Sequence, residues 1–119
     1  MDKLNLGVTF APISAPWRPR NVCELNGQQV RAAKMLGAFD WHHHESEDEL
    51  FLVVRGRFRM EFRDRQVWVE EGELILVPRG VEHRPVLDEE VCVLLFEPGT
   101  TVNTGNVRNE RTVLNPESV

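Results

Sequence analysis

The sequence predicts an all-β protein, a sandwich or a barrel of about eight or nine short strands. Apolar and polar residues alternate strictly over residues 57–62, which places Phe58, Met60 and Phe62 on one face of a strand. Short apolar runs recur along the chain between turn residues, and no segment has a convincing helical period. Many short strands with almost no helix are typical of sandwiches and barrels.

The predicted strands begin after an N-terminal arm. Residues 1–21 hold three prolines without regular periodicity, which predicts an extended arm lying over another part of the fold. The turn signal Asn26-Gly27 then predicts a hairpin between strands at residues 22–25 and 29–36.

The remaining strands follow at short intervals. They are predicted at residues 50–54, 57–62, 66–70, 74–77, 83–87 and 91–96. An acidic turn at residues 88–90 is expected to separate the last two, and beyond residue 98 the chain becomes polar. The sequence therefore divides into an arm at residues 1–21, a barrel at residues 22–98 and a C-terminal tail at residues 99–119 that packs on the barrel.

The composition predicts one small domain with a narrow range of partners. The chain has 119 residues and a net charge of -5, from 14 basic and 19 acidic side chains. This balance lacks the basic footprint that nucleic acid or an anionic membrane requires. No apolar stretch has the length of a secretory signal or a membrane span, which predicts a cytoplasmic protein. Cys23 and Cys92 are then expected to be packed free thiols rather than a disulfide.

Three adjacent histidines are the most informative feature of the chain. Because successive side chains of an extended segment point to opposite sides, His42 and His44 face one way and His43 faces the other. Two imidazoles so placed can bind one metal ion, and further ligands must come from elsewhere. Glu49 opens one strand and His83 lies at the entrance of another, so both would be held rigidly.

These residues alone also permit a plainer interpretation. A histidine in a strand is more often a surface residue or a hydrogen-bonded core residue than a ligand. The acidic run at residues 45–49 would ordinarily be a solvated turn. Metal binding and simple solvation remain open at this point.

A two-part motif separates the two interpretations. The segment Gly37…His42-His43-His44…Glu49…Gly56 resembles the first motif of the cupin superfamily, with four residues rather than the usual five between Gly37 and His42. From His42 to Gly56 the spacing matches without a gap.

The second cupin motif follows at the expected distance. Gly72…Pro78-Arg79-Gly80…His83 matches it, while Leu87 stands where the family has asparagine. Fifteen residues, 57–71, lie between the two motifs, which is similar to small single-domain cupins. Leu87 is not at a ligand position, so this departure concerns local turn geometry more than metal binding.

The resemblance implies a fold and a metal site. The fold is a double-stranded β-helix, or jelly-roll, barrel with an extended N-terminal arm. His42, His44, Glu49 and His83 are implied ligands of one divalent transition metal ion (Fe, Mn, Zn or Ni), with His43 directed away. Small cupins commonly form homodimers, and we expect one here.

The function implied by the resemblance is broad. A small-molecule metalloenzyme of oxygenase type is favoured, with Glu49 as a candidate general base. A metal-dependent isomerase or lyase, or a non-catalytic module binding a sugar-like ligand, are the alternatives. The absence of tyrosine excludes cupin lyases that use a tyrosine base, so Glu45, Glu47 or His43 would supply any extra acid–base group.

Other residues admit two roles each. Arg79 is either a contact for an anionic substrate or a solvated turn residue. Several apolar side chains either line a pocket or pack in the barrel or dimer: Trp41, Phe51, Phe58, Met60 and Phe62.

Overall fold

The computed structural model describes residues 2–119 and is almost entirely β. One short helix, α1 (Leu6–Phe10), is followed by seven strands: β1 (Arg20–Leu25), β2 (Gln28–Ala38), β3 (Glu49–Arg55), β4 (Arg57–Phe62), β5 (Gln66–Glu70), β6 (Leu74–Val77) and β7 (His83–Pro98). All the strand pairings are antiparallel. The predicted all-β fold class and the hairpin at Asn26-Gly27 are confirmed.

Strand β7 organises the sheet because three other strands pair with it. It lies between β2 and β3 over one part of its length and pairs with β4 over another. In the strand order β1-β2-β7-β3-β6, β1 and β6 lie at the two ends, and β5 pairs with β4. Sharing one long, bent strand in this way is how the sheet curls into a barrel.

The predicted break at residues 88–90 is wrong, since β7 continues through it. On the partner strand, Met35 pairs with Val91 and Gly37 pairs with Leu87, so the ladder accommodates the acidic residues as a bulge. Their side chains are exposed there without ending the strand. The acidic run correctly indicated that residues 88–90 are exposed to solvent, but exposed residues can lie within a strand.

The arm contains a helix too short to give a periodic signal. Asn5 begins it, because its side-chain oxygen accepts a hydrogen bond from the backbone N–H of Val8 at 3.0 Å. Phe10 at its end is buried in a cluster with Ile13, Ala32 and Leu94. The arm is therefore held by apolar contacts on one face of the sheet.

The inner face of the barrel carries the main core. Thirteen buried apolar residues from β2 to β7 form it, including Phe51, Phe58 and Met60. Leu87, which departs from the second motif, is buried in this core. Its apolar side chain thus contributes packing at that position. No helix among residues 2–119 has the length and apolar character needed to cross a membrane.

Candidate metal centre

The two motif histidines and His83 are brought together by main-chain pairing. His42 and His83 exchange backbone hydrogen bonds of 3.2 and 2.9 Å, although His42 lies outside the named strands. Gly80 donates its backbone N–H to the carbonyl of His44 at 2.7 Å. Glu49 and His83 are the first residues of β3 and β7. The two motifs are therefore joined by main-chain hydrogen bonds.

The four predicted residues form one cluster. One nitrogen or oxygen atom from each of His42, His44, Glu49 and His83 lies within 4.8 Å of the others, and all four side chains are buried. Glu49 Oε1 lies 3.4 Å from His44 Nε2 and 3.5 Å from His83 Nε2. This set of donors is one that a divalent transition metal ion prefers.

The ring orientations leave nitrogen lone pairs facing the cluster. His42 Nδ1 donates to the carbonyl of Asp40 at 2.9 Å, and His83 Nδ1 donates to the carbonyl of Val81 at 2.8 Å. Such bonds fix the tautomer in which Nε2 is free to bind a metal. His44 Nε2, Glu49 Oε1 and His83 Nε2 are buried without a hydrogen-bond partner. Unpaired buried polar atoms are costly, and an ion at their centre would satisfy all three.

Burial and neighbouring charges set the protonation of the cluster. Burial, together with the charge of His83, lowers the pKa of His42 to about 4. For His44 burial acts in the same direction, but the adjacent carboxylate of Glu49 outweighs it and raises the pKa of His44. Burial opposes the charge of Glu49, yet the adjacent imidazoles of His44 and His83 hold its pKa well below the usual range. Glu49 is therefore a carboxylate and His42 a neutral imidazole near neutral pH.

We predict that the His42 ring of the metal-free protein stays neutral down to about pH 4. The unfolded chain takes up this proton near pH 6.5, so between these values it holds more protons than the folded chain. His42 therefore contributes stability above pH 6.5 that is lost as the pH falls toward 4. Histidine ring chemical shifts recorded by NMR against pH measure this directly. A His42 midpoint close to 6.5 would contradict the prediction.

A second buried carboxylate lies behind the cluster. Glu97 lies beside Glu49 and accepts a 3.2 Å bond from Arg31, and both Arg31 and Glu97 are buried. Arg31 also donates to the carbonyls of Thr101 and Gly99, at 2.7 and 3.1 Å. Burial and the charge of Glu49 raise the pKa of Glu97 well above its usual range. These contacts of Arg31 hold Glu97 in place beside Glu49.

The C-terminal tail packs directly on the histidine segment. Asn106 receives the backbone N–H of His43 on its Oδ1 at 2.9 Å and donates its own N–H to the carbonyl of His43 at 3.1 Å. Gly105 has a φ of +56°, and a Cβ there would lie 2.2 Å from the His43 oxygen. Only glycine allows this close approach.

Other residues singled out by the sequence lie outside the cluster. His43 points outward and contacts Glu45, as predicted from the strand alternation. Arg79 is exposed and pairs with Asp48 at 3.2 Å, which matches a solvated turn residue. Phe51 is the one predicted aromatic residue that lines a cavity beside His42.

Trp41, Phe58, Met60 and Phe62 serve packing instead. Trp41 lies under the guanidinium of Arg63, 3.9 Å from its ring centroid. Phe58, Met60 and Phe62 are core residues of the barrel.

Sequence reasoning missed the residues that support the cluster from a distance. They are Trp17, Arg31, Phe39, Glu97, Asn103, Gly105 and Asn106. A signal existed only for Arg31 and Glu97, which are charged residues next to apolar strand segments. Nothing in the arm or the tail indicated which residues would reach the site.

Comparison with known proteins defines the family. Residues 35–97 match the cupin domain family, and the chain belongs to it. A crystal structure of a cupin-2 domain containing protein from Shewanella frigidimarina superposes with a TM-score of 0.78 and 36% identity, covering 80% of this chain and 93% of that one. The fold is therefore a cupin jelly-roll barrel, as the two motifs predicted.

Two curated relatives extend the comparison. The uncharacterized protein YdbB of Bacillus subtilis is 38% identical over 65 residues, which are 54% of this chain and 58% of that protein. An acireductone dioxygenase of Bacillus licheniformis is 30% identical over 88 residues, 67% of this chain and 49% of that protein. The chain thus spans about half the length of the curated relatives it matches.

Proposed function

We propose that this cupin binds one divalent transition metal ion through His42, His44, Glu49 and His83 and is a small-molecule metalloenzyme of oxygenase type. The observation that carries the proposal is the set of buried, unpartnered atoms at the centre of the cluster: His44 Nε2, Glu49 Oε1 and His83 Nε2. Iron, manganese, zinc and nickel all accept this donor set. A redox-active ion such as Fe(II) or Mn(II) would supply oxygen chemistry to a substrate bound through its own oxygen atoms.

Glu49 is better suited to binding the metal ion than to acting as a general base. The lowered pKa of Glu49 makes it a good ligand for a cation and a weak acceptor of protons. We therefore propose that Glu49 acts first as a ligand, and that its action as a general base needs its environment to change. The sequence similarity to an acireductone dioxygenase favours oxygenase chemistry over isomerase or lyase chemistry.

A sugar-binding module is the alternative from another class, and the cavity disfavours it. The space beside His42 and Glu49 is lined mainly by apolar side chains, with Asn103 as its one further polar residue. A sugar needs several convergent hydrogen-bonding groups. A small, largely apolar molecule with a pair of oxygen atoms suits the cavity better.

We predict that the Fe(II)-loaded protein consumes O₂ with at least one member of a panel of diketones, catechols and hydroxy acids. An oxygen electrode measures the rate, and the His42→Ala plus His83→Ala variant, treated with Fe(II) in the same way, is the control. Equal rates in the two proteins would contradict the proposal. No O₂ consumption combined with tight binding of one compound would favour a binding module.

Two further predictions accompany this function. The homodimer is supported by the edge strand β6, which exposes Leu74 and Leu76. Cys23 and Cys92 are free cysteines in the structure, and Cys92 is buried. A cytoplasmic location stays a prediction from the composition.

A further inference from the structure

A small apolar cavity adjoins the metal cluster, and its wall includes a residue of the N-terminal arm. The cavity of about 40 Å³ touches His42 and Glu49, and Trp17 forms part of its wall. A water molecule needs roughly 10–15 Å³ of such space, so the cavity holds about three water-sized groups. Its remaining walls are mostly apolar and include Met35 and Phe51. Such a space suits a short hydrocarbon group better than a polar one.

Trp17 is fixed in place at three polar points. Its backbone N–H donates to the carbonyl of Lys34 at 2.8 Å, and its indole Nε1 donates to the carbonyl of Leu36 at 2.9 Å. Its own carbonyl accepts a bond from Asn103 of the tail at 3.3 Å. The wall is therefore held by β2 on one side and by the tail on the other.

Aromatic contacts connect Trp17 to the cluster. Its ring stacks on Phe39 with 4.6 Å between centroids, and Phe39 meets the His42 ring edge-on at 5.2 Å. The guanidinium of Arg111 lies over the rings of Trp17 and Phe39, at 5.8 and 5.6 Å from their centroids. A change in the position of Trp17 would thus alter the space next to His42.

The backbone of Trp17 is in an unfavourable conformation. Its φ of +65° lies in the left-handed region, which is uncommon for a bulky residue. Such a conformation costs roughly 1–3 kcal/mol and persists only where surrounding contacts enforce it. Trp17 lies outside residues 35–97, which match the cupin domain family. The strain is consistent with a role for the indole at the cavity.

We propose that Trp17 is the specificity-determining residue of this site and limits the ligand's apolar end to a short aliphatic group of two or three carbons. This inference rests on the proposed function, because the ligand's oxygen atoms would bind the ion held by His42, His44, Glu49 and His83. The indole forms part of the cavity wall, so an alkyl chain too long for the cavity meets the ring of Trp17.

Binding of straight-chain alkyl hydroxamates to the Co(II)-loaded protein tests the limit. These probes bind a metal through two oxygens, and the visible spectrum of Co(II) reports their binding without any turnover. For the wild type we expect affinity to rise about fourfold per methylene up to butanohydroxamate, because each buried methylene adds to binding, and to fall for longer chains. Trp17→Ala should move this limit to hexanohydroxamate or beyond.

Two further variants make the result specific. Trp17→Phe keeps an aromatic wall and loses only the bond to Leu36, so its limit should remain short. Trp68→Ala removes a partly exposed tryptophan that lies under Arg57 and outside the cavity, and it should behave as the wild type. If Trp17→Ala does not fold, judged by its thermal unfolding, Trp17→Leu replaces it, with the same expected shift to longer chains.

The failures of the two proposals are distinguishable. Hydroxamates that bind the wild type with the same length limit in Trp17→Ala or Trp17→Leu would overturn the role of Trp17 and leave the metal site intact. A wild-type protein that binds no Co(II) would overturn the proposed function and this inference together.

Discussion

Replacing His42 and His83 together by alanine is expected to abolish metal binding. The two side chains direct their Nε2 atoms toward the cluster, because their Nδ1 atoms are engaged by the carbonyls of Asp40 and Val81. The variant keeps only His44 and Glu49 as donors. Two donors are fewer than the three or four protein ligands that a tightly bound transition metal ion ordinarily has. Metal content should fall from about one ion per chain to about a tenth of that or less.

Elemental analysis of protein purified without added metal measures this change. His43→Ala is the matched control, since His43 is adjacent in sequence but points outward and contacts Glu45. Glu49→Gln is a second test of the site, because it keeps the shape of the side chain and removes its charge. Equal metal content in the wild type and the double variant would remove His42 and His83 as ligands.

The candidate site could be predicted because its residues obey local rules. Alternation along an extended segment separates His42 and His44 from His43, and this requires no knowledge of the fold. Glu49 and His83 each open a strand, where a turn gives way to a rigid element. Once the two motifs had been matched, all four residues followed from their positions in the sequence.

The supporting residues could not be predicted because their contacts span most of the chain. Asn103 reaches Trp17 across 86 positions, and Arg31 reaches Glu97 across 66. No pattern over a few residues encodes such pairs. The bulge at residues 88–90 could not be predicted for the same reason. A charged run predicts a turn unless the pairing with the partner strand is known.

These distant contacts make the tail part of the site. In this cupin the histidine segment pairs with β7 through His83 and with the tail through Asn106. Glu49 and His83 lie on strands β3 and β7, whereas the positions of His42 and His43 also depend on the tail residues Gly105 and Asn106. The tail is therefore expected to affect metal affinity although it contributes no ligand.

Gly105→Ala is accordingly expected to be among the most disruptive single substitutions in the tail. The added methyl group would lie 2.2 Å from the carbonyl oxygen of His43 and 3.1 Å from the His42 ring, so the backbone must shift. The positive φ adds about 1 kcal/mol, and overpacking against the main chain adds about 1–3 kcal/mol. The free energy of unfolding, measured in urea without metal, should fall by about 2–4 kcal/mol.

Gly27→Ala is the control that measures the cost of a positive φ without a steric clash. Gly27 has a φ of +83°, and a Cβ there meets nothing within 4 Å, so this variant should lose only about 1 kcal/mol. It should also bind Co(II) as tightly as the wild type, whereas Gly105→Ala should bind it at least about tenfold more weakly, as is typical when support around a ligand is lost. Equal unfolding energies for the two alanine variants would show that the tail can move away from His43. Unchanged Co(II) affinity in Gly105→Ala would show that the tail does not position His42.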